Sequence, residues 1–449
     1  MSTKGARDLR PVLHYTPPKA WINDPNGLVW DGGAYHLFAQ HYPDATRHGP
    51  MHWLHATSED CIRWKQLGIA LAPDELGYIF SGSAVVDKGN TSGLGAARDP
   101  MIAMFTHHKD TESQSIAYSN DGLNFTKYAG NPVIGNPGIR DFRDPRAFRY
   151  GDGWRAAVAA GGEVRFYESS NLIDWRATGT FGKTENRLGT VFECPDVFPV
   201  TAPDGGVTWV LSASMVQAFE LGGSRTQYFL GVFDGKTFKR TFQTEEPLLL
   251  DFGYDNYASV TFSGVSPPRM MGWGNCWTYA DKVPTNEYCG CMTLARDIKL
   301  IDTPRGPRLA SAPVLPAPAR TRAITDGDGL PCETFVLDVD ADGAFEVQLA
   351  NRDGERFIAG CDGGAFYTDR SSSGQMDFDP YFNSPLYQKT RCERFLSGPV
   401  KMRLVFDRSI AEIFADCGAY ANTTQAFPAS PYDTLILNGA RAAISEFDI

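Results

Sequence analysis

The chain has 449 residues and a net charge of −11, with 42% hydrophobic, 12% aromatic and 21% charged residues. This length calls for two or more domains with ample core material. The negative balance excludes nucleic acid and an anionic membrane surface as main partners, and no apolar run approaches the length of a membrane span.

In chain order, the first ten residues, Met1 to Arg10, are polar and carry no apolar stretch of the secretory type, so a cytoplasmic location is the expectation. The 9 cysteines are scattered and odd in number, as expected of free thiols and not of a disulfide framework. Cys289-Gly290-Cys291 has no second pair or histidine at zinc spacing. His52 and His55 stand three apart in an extended segment, a poor geometry for a metal pair. No metal and no cofactor is expected.

From Tyr15 to about Asp302, short apolar-aromatic runs alternate with Gly, Asp, Asn and Pro. Ala34–Gln40, Ser83–Asp87, Met101–Thr106 and Thr208–Ser212 read as strands. A weak repeat runs through them. Ser58-x-Asp60-x-x-x-Trp64 recurs as Ser119-x-Asp121-x-x-x-Phe125 and Ser169-x-Asn171-x-x-x-Trp175, and more loosely as Phe233-Asp234-Gly235-Lys236-Thr237-Phe238. A turn followed by an aromatic at intervals of 61, 50 and 63 residues is the pattern of a β-propeller with about five blades. The expected propeller spans residues 10–305.

The Pro- and Ala-rich stretch 306–320 reads as a linker. Beyond it, Thr334–Val339, Ala344–Leu349, Val400–Phe406 and Ile410–Phe414 alternate apolar and polar residues between turn signals. That pattern suits a β-sandwich over 321–449. Asp338, Asp340 and Asp342 read as solvated turn residues, not a calcium loop. The fold class expected is therefore all-β: a five-bladed propeller followed by a sandwich.

Three acidic positions stand in unusual settings: Asp24 in Trp21-Ile22-Asn23-Asp24-Pro25-Asn26-Gly27, Asp144 in Arg143-Asp144-Pro145, and Glu193 in Phe192-Glu193-Cys194-Pro195-Asp196. The first segment also reads as a plain tight turn, with Asp24 as a turn former. In a propeller, however, these segments fall in the first, third and fourth blades and meet at one end of a central channel. Two carboxyl groups facing one bond are the minimal equipment for glycoside hydrolysis, one ionised and one carrying a proton. Arg143 is expected to keep Asp144 ionised. An apolar setting between Phe192 and Cys194-Pro195 is expected to raise the pKa of Glu193, as suits an acid.

With these motifs the chain resembles the β-fructofuranosidases of glycoside hydrolase family 32. The resemblance runs from Tyr15 to the end. Besides the three acidic segments it takes in Phe38-Ala39-Gln40, Gly49–Trp53, His55–Ser58, Phe80–Ser83, Gly272–Trp277, Gly290–Thr293, Phe406–Ser409 and Glu412-Ile413-Phe414. It implies a propeller and a sandwich, with Asp24 as nucleophile, Glu193 as general acid/base and Asp144 holding the fructosyl hydroxyls. It also implies a sugar subsite lined by Asn23, Gln40, Trp53, Phe80, Ser81 and Arg143, to which Trp277 is added as a candidate.

Leu54 stands where the family usually has Gly, Ala39 replaces a usual Tyr, and Asp255-Asn256-Tyr257-Ala258 replaces an Asp-Phe-Tyr-Ala pattern. These departures bear on the leaving-group side, not on the carboxylates. The implied activity is retaining, exo-acting hydrolysis of terminal β-fructosyl residues of sucrose, sucrose 6-phosphate or short fructooligosaccharides. A fructosyltransferase and a non-catalytic fructan-binding protein stand as alternatives. The implied partner is a small sugar substrate; no feature of the sequence specifies an oligomer.

Overall fold

A computed structural model of the protein describes residues 7–96, 99–183, 191–216 and 223–448. Five sheets of a propeller come first, each running outward from an inner strand. The inner strands are Ala20–Trp30, Tyr78–Val86, Phe142–Tyr150, Phe192–Thr201 and Tyr257–Thr261. Successive strands within a blade are antiparallel and mostly joined by short turns. The ring is closed by Tyr288–Cys289, from the fifth segment, which pairs parallel with Ala20 and Trp21 of the first blade.

The sequence repeat marks one place in this plan, the turn between the third and fourth strands of a blade. Asp60 accepts the backbone N–H of Ile62 and Arg63 at 2.8 Å, Asp121 those of Leu123 and Asn124 at 2.8 Å, and Asp234 those of Lys236 and Thr237 at 2.8 Å. Ser58 and Ser119 each donate to the Asp two residues on, at 2.9 Å. These are side chains completing a turn that the backbone alone would leave unsatisfied. The aromatic that follows packs inward: Phe125 edge-on to Phe38, and Phe238 edge-on to Phe181.

The core of this domain is not central. It is divided among the five gaps between adjacent blades. Phe38, Trp53 and Phe105 fill the first gap, and Phe142, Trp154 and Tyr167 the second. Phe166, Phe192 and Phe229 fill the third, Phe198, Tyr228 and Leu300 the fourth, and Trp21, Tyr257 and Trp273 the gap that closes the ring. Each such side chain contributes about 1.5–3 kcal/mol on burial, so the blades are held edge to edge and the axis is left to polar groups.

The sandwich pairs a six-stranded sheet, with Arg320–Ile324 at one edge and Tyr420–Gln425 at the other, with a five-stranded one. The apolar faces of both meet over Phe335, Leu337, Val347, Phe357 and Ile413. Asp338 and Asp340 lie on a strand, not in a turn, and face Arg403 at 2.7 Å and Lys401 at 4.0 Å.

Two expected boundaries move. Arg308–Pro313 is the outer strand of the fifth blade, paired with Arg296–Ile301, so the connection shrinks from 306–320 to 314–319. The prolines at 307 and 313 only bracket this strand, where the missing N–H costs no ladder bond. At the other end, residues 7–14 lie on the sandwich, not the propeller. The backbone N–H groups of Val12, Leu13 and His14 all donate to Asp407, and the Ser409 hydroxyl donates to the Leu9 carbonyl at 2.7 Å.

The strap ends in a buried charge cluster that spans both domains. His14 Nδ1 lies 2.8 Å from Asp407 and Nε2 lies 3.2 Å from Glu412. Glu412 in turn meets Arg296 of the fifth blade at 2.9 Å, and Arg296 meets Asp251 at 2.8 Å. Burial by itself would depress the His14 pKa, but the hydrogen bonds and charges of Asp407 and Glu412 raise it from 6.5 to about 9.

A histidine held charged in this way stabilises the fold fully below its unfolded pKa of about 6.5 and loses that contribution as pH rises through about 9. His14→Gln should therefore cost about 3–5 kcal/mol near pH 6, the range for breaking a buried charge pair. Denaturant titrations of wild type and variant at pH 6 and pH 10 should show the gap closing at the higher pH. A gap that stays constant would mean that His14 acts as a neutral group.

Candidate active site

The site lies where the five inner strands begin, and each has a β-bulge there. Asn23 and Asp24 oppose Gln40 alone. Ser81 is an extra residue between Phe80 and Gly82. Asp144 and Pro145 oppose Val158, Cys194 and Pro195 oppose Ala213, and Ala258 and Ser259 oppose Gly272. A bulge leaves one residue out of the ladder and turns its side chain away from the pleat. Here the residues so released include Asp24 and Asp144, the Ser81 that bonds Asp24, and Cys194, which follows the still-paired Glu193. Asp144, Cys194 and Ala258 take φ of 61°, 45° and 52°, left-handed values that cost a non-glycine residue about 1–3 kcal/mol and persist only where surrounding structure fixes them. The Asn23–Gly27 segment is thus a doubly bulged strand and not the tight turn its composition allows.

The bulges bring Asp24, Asp144 and Glu193 together. One oxygen of Asp24 accepts the Ser81 hydroxyl at 3.1 Å; its other oxygen, Oδ1, is buried with no hydrogen-bond partner. Asp144 accepts the backbone N–H of Cys194 at 2.9 Å, while its own N–H donates to Thr106 at 2.9 Å. The Cys194 sulfur sits between the two aspartates, 3.6 Å from an oxygen of each. Glu193 accepts Arg143 Nη2 at 2.7 Å on one oxygen and the Tyr257 hydroxyl on the other. The second arm of Arg143 reaches Asp141 at 2.8 Å and Glu112 at 3.2 Å.

Two electrostatic expectations change. Arg143 hydrogen-bonds Glu193 rather than Asp144, and Glu193 stands between a guanidinium and a phenol rather than in an apolar setting. Burial, aided by the charge of Glu193, pushes Asp24 up to about 6. Burial pushes Asp144 up to about 7; the Arg143 charge pulls it back and Glu193 pushes it up again. Asp24 and Asp144 are thereby a buried pair that retains a proton near neutral pH.

The remaining expected residues divide into floor and rim. Asn23 and Gln40 are 2% exposed and held from below, Asn23 by the Trp21 indole N–H at 2.7 Å and Gln40 through its bond to Asn26 at 2.7 Å. Trp53 is fully enclosed between blades. Its indole N–H donates to the Phe80 carbonyl at 3.1 Å, so it steadies the second bulge and does not line the site. Phe80, Arg143 and Trp277 are half-buried. Trp277 stacks at a tilt against Trp273 at 4.8 Å and Trp21 at 5.9 Å, and Phe80 stacks flat on His108 at 4.1 Å.

The exposed His48 leans edge-on to Trp277 and Phe80 at 5.6 and 6.0 Å and completes the aromatic rim. Tyr257, Cys194 and Glu112 also went unassigned. The first two sit in quoted motifs, next to bulge residues, which is the signal they offered.

Below the carboxyls the channel narrows to a void of about 10 Å³ lined by Pro25, Gly27, Ser83 and Pro145. A cavity of about 750 Å³ lies at the opposite end of the inner strands, around Trp30, Phe148 and Thr261, and none of the three carboxyls faces it.

Residues 14–313 match the family description "Glycosyl hydrolases family 32 N-terminal domain", and residues 334–447 match "Glycosyl hydrolases family 32 C terminal". A levanase from Bacillus subtilis is 38% identical over 94% of this chain and 67% of its own length. An extracellular exo-inulinase from Aspergillus niger is 32% identical over 94% and 90%. Among solved structures, exo-inulinase from Aspergillus awamori superimposes with a TM-score of 0.88 at 30% identity, covering 100% of this chain and 99% of that one. Fructofuranosidase from Schwanniomyces occidentalis complexed with fructose gives 0.87 at 28%, covering 97% and 98%. Five bulged strands converging on three carboxyls, with both domains matched along their length, place the chain in glycoside hydrolase family 32.

Proposed function

We propose that the protein is a retaining, exo-acting β-fructofuranosidase that releases terminal β-D-fructofuranosyl residues from sucrose, sucrose 6-phosphate or short fructooligosaccharides. The observation that carries the reading is Asp24: one oxygen is tethered by Ser81 and the other is buried without a partner, directed into a site that holds two further carboxyls. The narrow void beneath explains exo action, because a sugar chain enters by its end and cannot thread through.

In the first step Asp24 attacks the anomeric carbon of the fructosyl ring. The bond to the leaving oxygen breaks, and that oxygen takes the proton from Glu193. A fructosyl ester on Asp24 and a free leaving sugar result. In the second step Glu193, now a carboxylate, takes a proton from water. The water oxygen displaces Asp24 from the anomeric carbon and Glu193 is again protonated. Two inversions give net retention. Arg143 and Tyr257 both donate to Glu193, which steadies the carboxylate formed midway. Asp144 accepts hydroxyls of the sugar, and Phe80, Trp277 and His48 border the leaving group. Cytoplasmic residence is part of the proposal, supported by nine unpaired cysteine thiols, seven of them buried.

Glu193→Ala should lower kcat/KM by about 10²–10⁴-fold on sucrose and far less on an aryl β-fructofuranoside, which needs no proton to leave. Asp24→Ala should lose activity on both alike. In methanol–water, NMR should show methyl β-fructoside as the first transfer product from a β-fructoside; methyl α-fructoside would rule out Asp24 as nucleophile.

Attack requires ionised Asp24, so the acid limb of kcat/KM should fall tenfold per unit below an apparent pKa between about 6 and about 7. The Ser81 hydroxyl favours the charged form. Ser81→Ala should therefore move this limb upward by roughly one unit, and an unmoved limb would assign it to another group.

A further inference from the structure

The segment that leads into the fifth inner strand, residues 251–256, belongs to the propeller in sequence but is held by the sandwich. It runs along Tyr420–Gln425, the edge strand of the six-stranded sheet. Phe252 N–H donates to the Ala421 carbonyl at 2.8 Å, and Thr423 N–H donates to Asp251 at 2.8 Å. At Gly253 the approach is so close that a Cβ would lie 2.0 Å from the Thr423 carbonyl oxygen.

The segment ends in Asp255, which is fully buried and fully engaged. One oxygen accepts Arg370 Nη1 at 2.6 Å and Gln425 N–H at 2.8 Å; the other accepts the Tyr279 hydroxyl at 2.6 Å. Arg370 comes from the sandwich strand Ala365–Ser372. Its second amino group donates to Tyr279 at 2.8 Å, its Nε to the Tyr387 carbonyl at 2.9 Å, and the Phe382 ring lies under it at 4.0 Å.

Two residues beyond Asp255 stands Tyr257, whose hydroxyl donates to Glu193. Asn256, between them, is tied to Asp251 at 3.1 Å and to Ser259 at 2.7 Å. The path from the sandwich arginine to the Glu193 carboxyl therefore contains no free joint.

We infer that Arg370 and Asp255 form a positioning clamp through which the sandwich sets the Tyr257 hydroxyl, and with it the Glu193 carboxyl, for proton transfer. The second domain is then part of the chemical step and not only a support. This rests on Glu193 being the proton donor. A displacement of about 1 Å at a reacting group is enough to cost on the order of 10² in rate. A loosened clamp should cost most where protonation of the leaving oxygen limits the reaction.

Arg370→Lys keeps the charge but loses the planar fork. Tyr279→Phe keeps the ring but removes one bond to Asp255, and carries the same comparison should the arginine variant not fold. Steady-state kinetics on sucrose and on an aryl β-fructofuranoside read the effect. Either variant should lower kcat/KM on sucrose about tenfold or more, and much less on the aryl substrate. KM should stay within about twofold, since uniform binding is untouched. Tyr257→Phe should give the same split, and combining it with a clamp variant should add little further loss.

Equal losses of kcat/KM on both substrates, a lowered melting temperature with unchanged kinetics, or additive losses in the double variant would each overturn the clamp. Glu193→Ala measured alongside separates the two claims. If it shows no split, the proton donor is misassigned; if it splits and the clamp variants do not, the clamp is wrong.

Discussion

The whole structure turns on one constraint: five strands run side by side around an axis, and each must present a polar side chain there without losing its ladder. A regular strand alternates faces, so it sends side chains into the gaps between blades, where the apolar cores lie. The extra residue of a bulge breaks that alternation locally. Asn23-Asp24, Ser81, Asp144, Cys194 and Ala258 are those breaks. Packing further out makes them affordable, and neighbours such as Trp53, with its bond to the Phe80 carbonyl, pin them in place.

Grouping three carboxyls at the same depth has an electrostatic result that none of them would show alone. Burial and mutual repulsion lift Asp24 and Asp144 to about 6 and about 7. Arg143 is the single cation in direct contact with Glu193 among the described residues, and its remaining bonds go outward, to Asp141 and Glu112.

Much of this was legible in the sequence, because the relevant signals are local. The Ser-x-Asp turn names its place in the blade through bonds that reach only two or three residues, and Pro25, Pro145 and Pro195 stand beside the acidic positions inside strands, where Pro is confined to edges and bulges. What stayed hidden depends on distant partners. Tyr257 matters only because Glu193 lies across the channel, and Trp53 reads equally well as lining or support until Phe80 is placed behind it. Arg143 adjoins Asp144 in sequence, yet the left-handed turn at Asp144 sends the two side chains to different partners. The strand Arg308–Pro313 hid among prolines that merely bracket it.

The N-terminal strap carries a consequence for how the chain comes to its shape. During synthesis Val12, Leu13 and His14 emerge 393 to 398 residues ahead of Asp407 and Glu412, which satisfy them. The first blade likewise waits for Tyr288 and Cys289 before its inner strand has a neighbour on both sides. Contacts this far apart in sequence form slowly, because the intervening chain must be ordered first. The inner strand of the first blade therefore keeps an unpaired edge until the fifth segment is made, the state most open to wrong pairing. Once the strap is seated the same arrangement works in reverse: strap, sandwich and fifth blade hold one another, and the two domains part only by pulling buried charges apart.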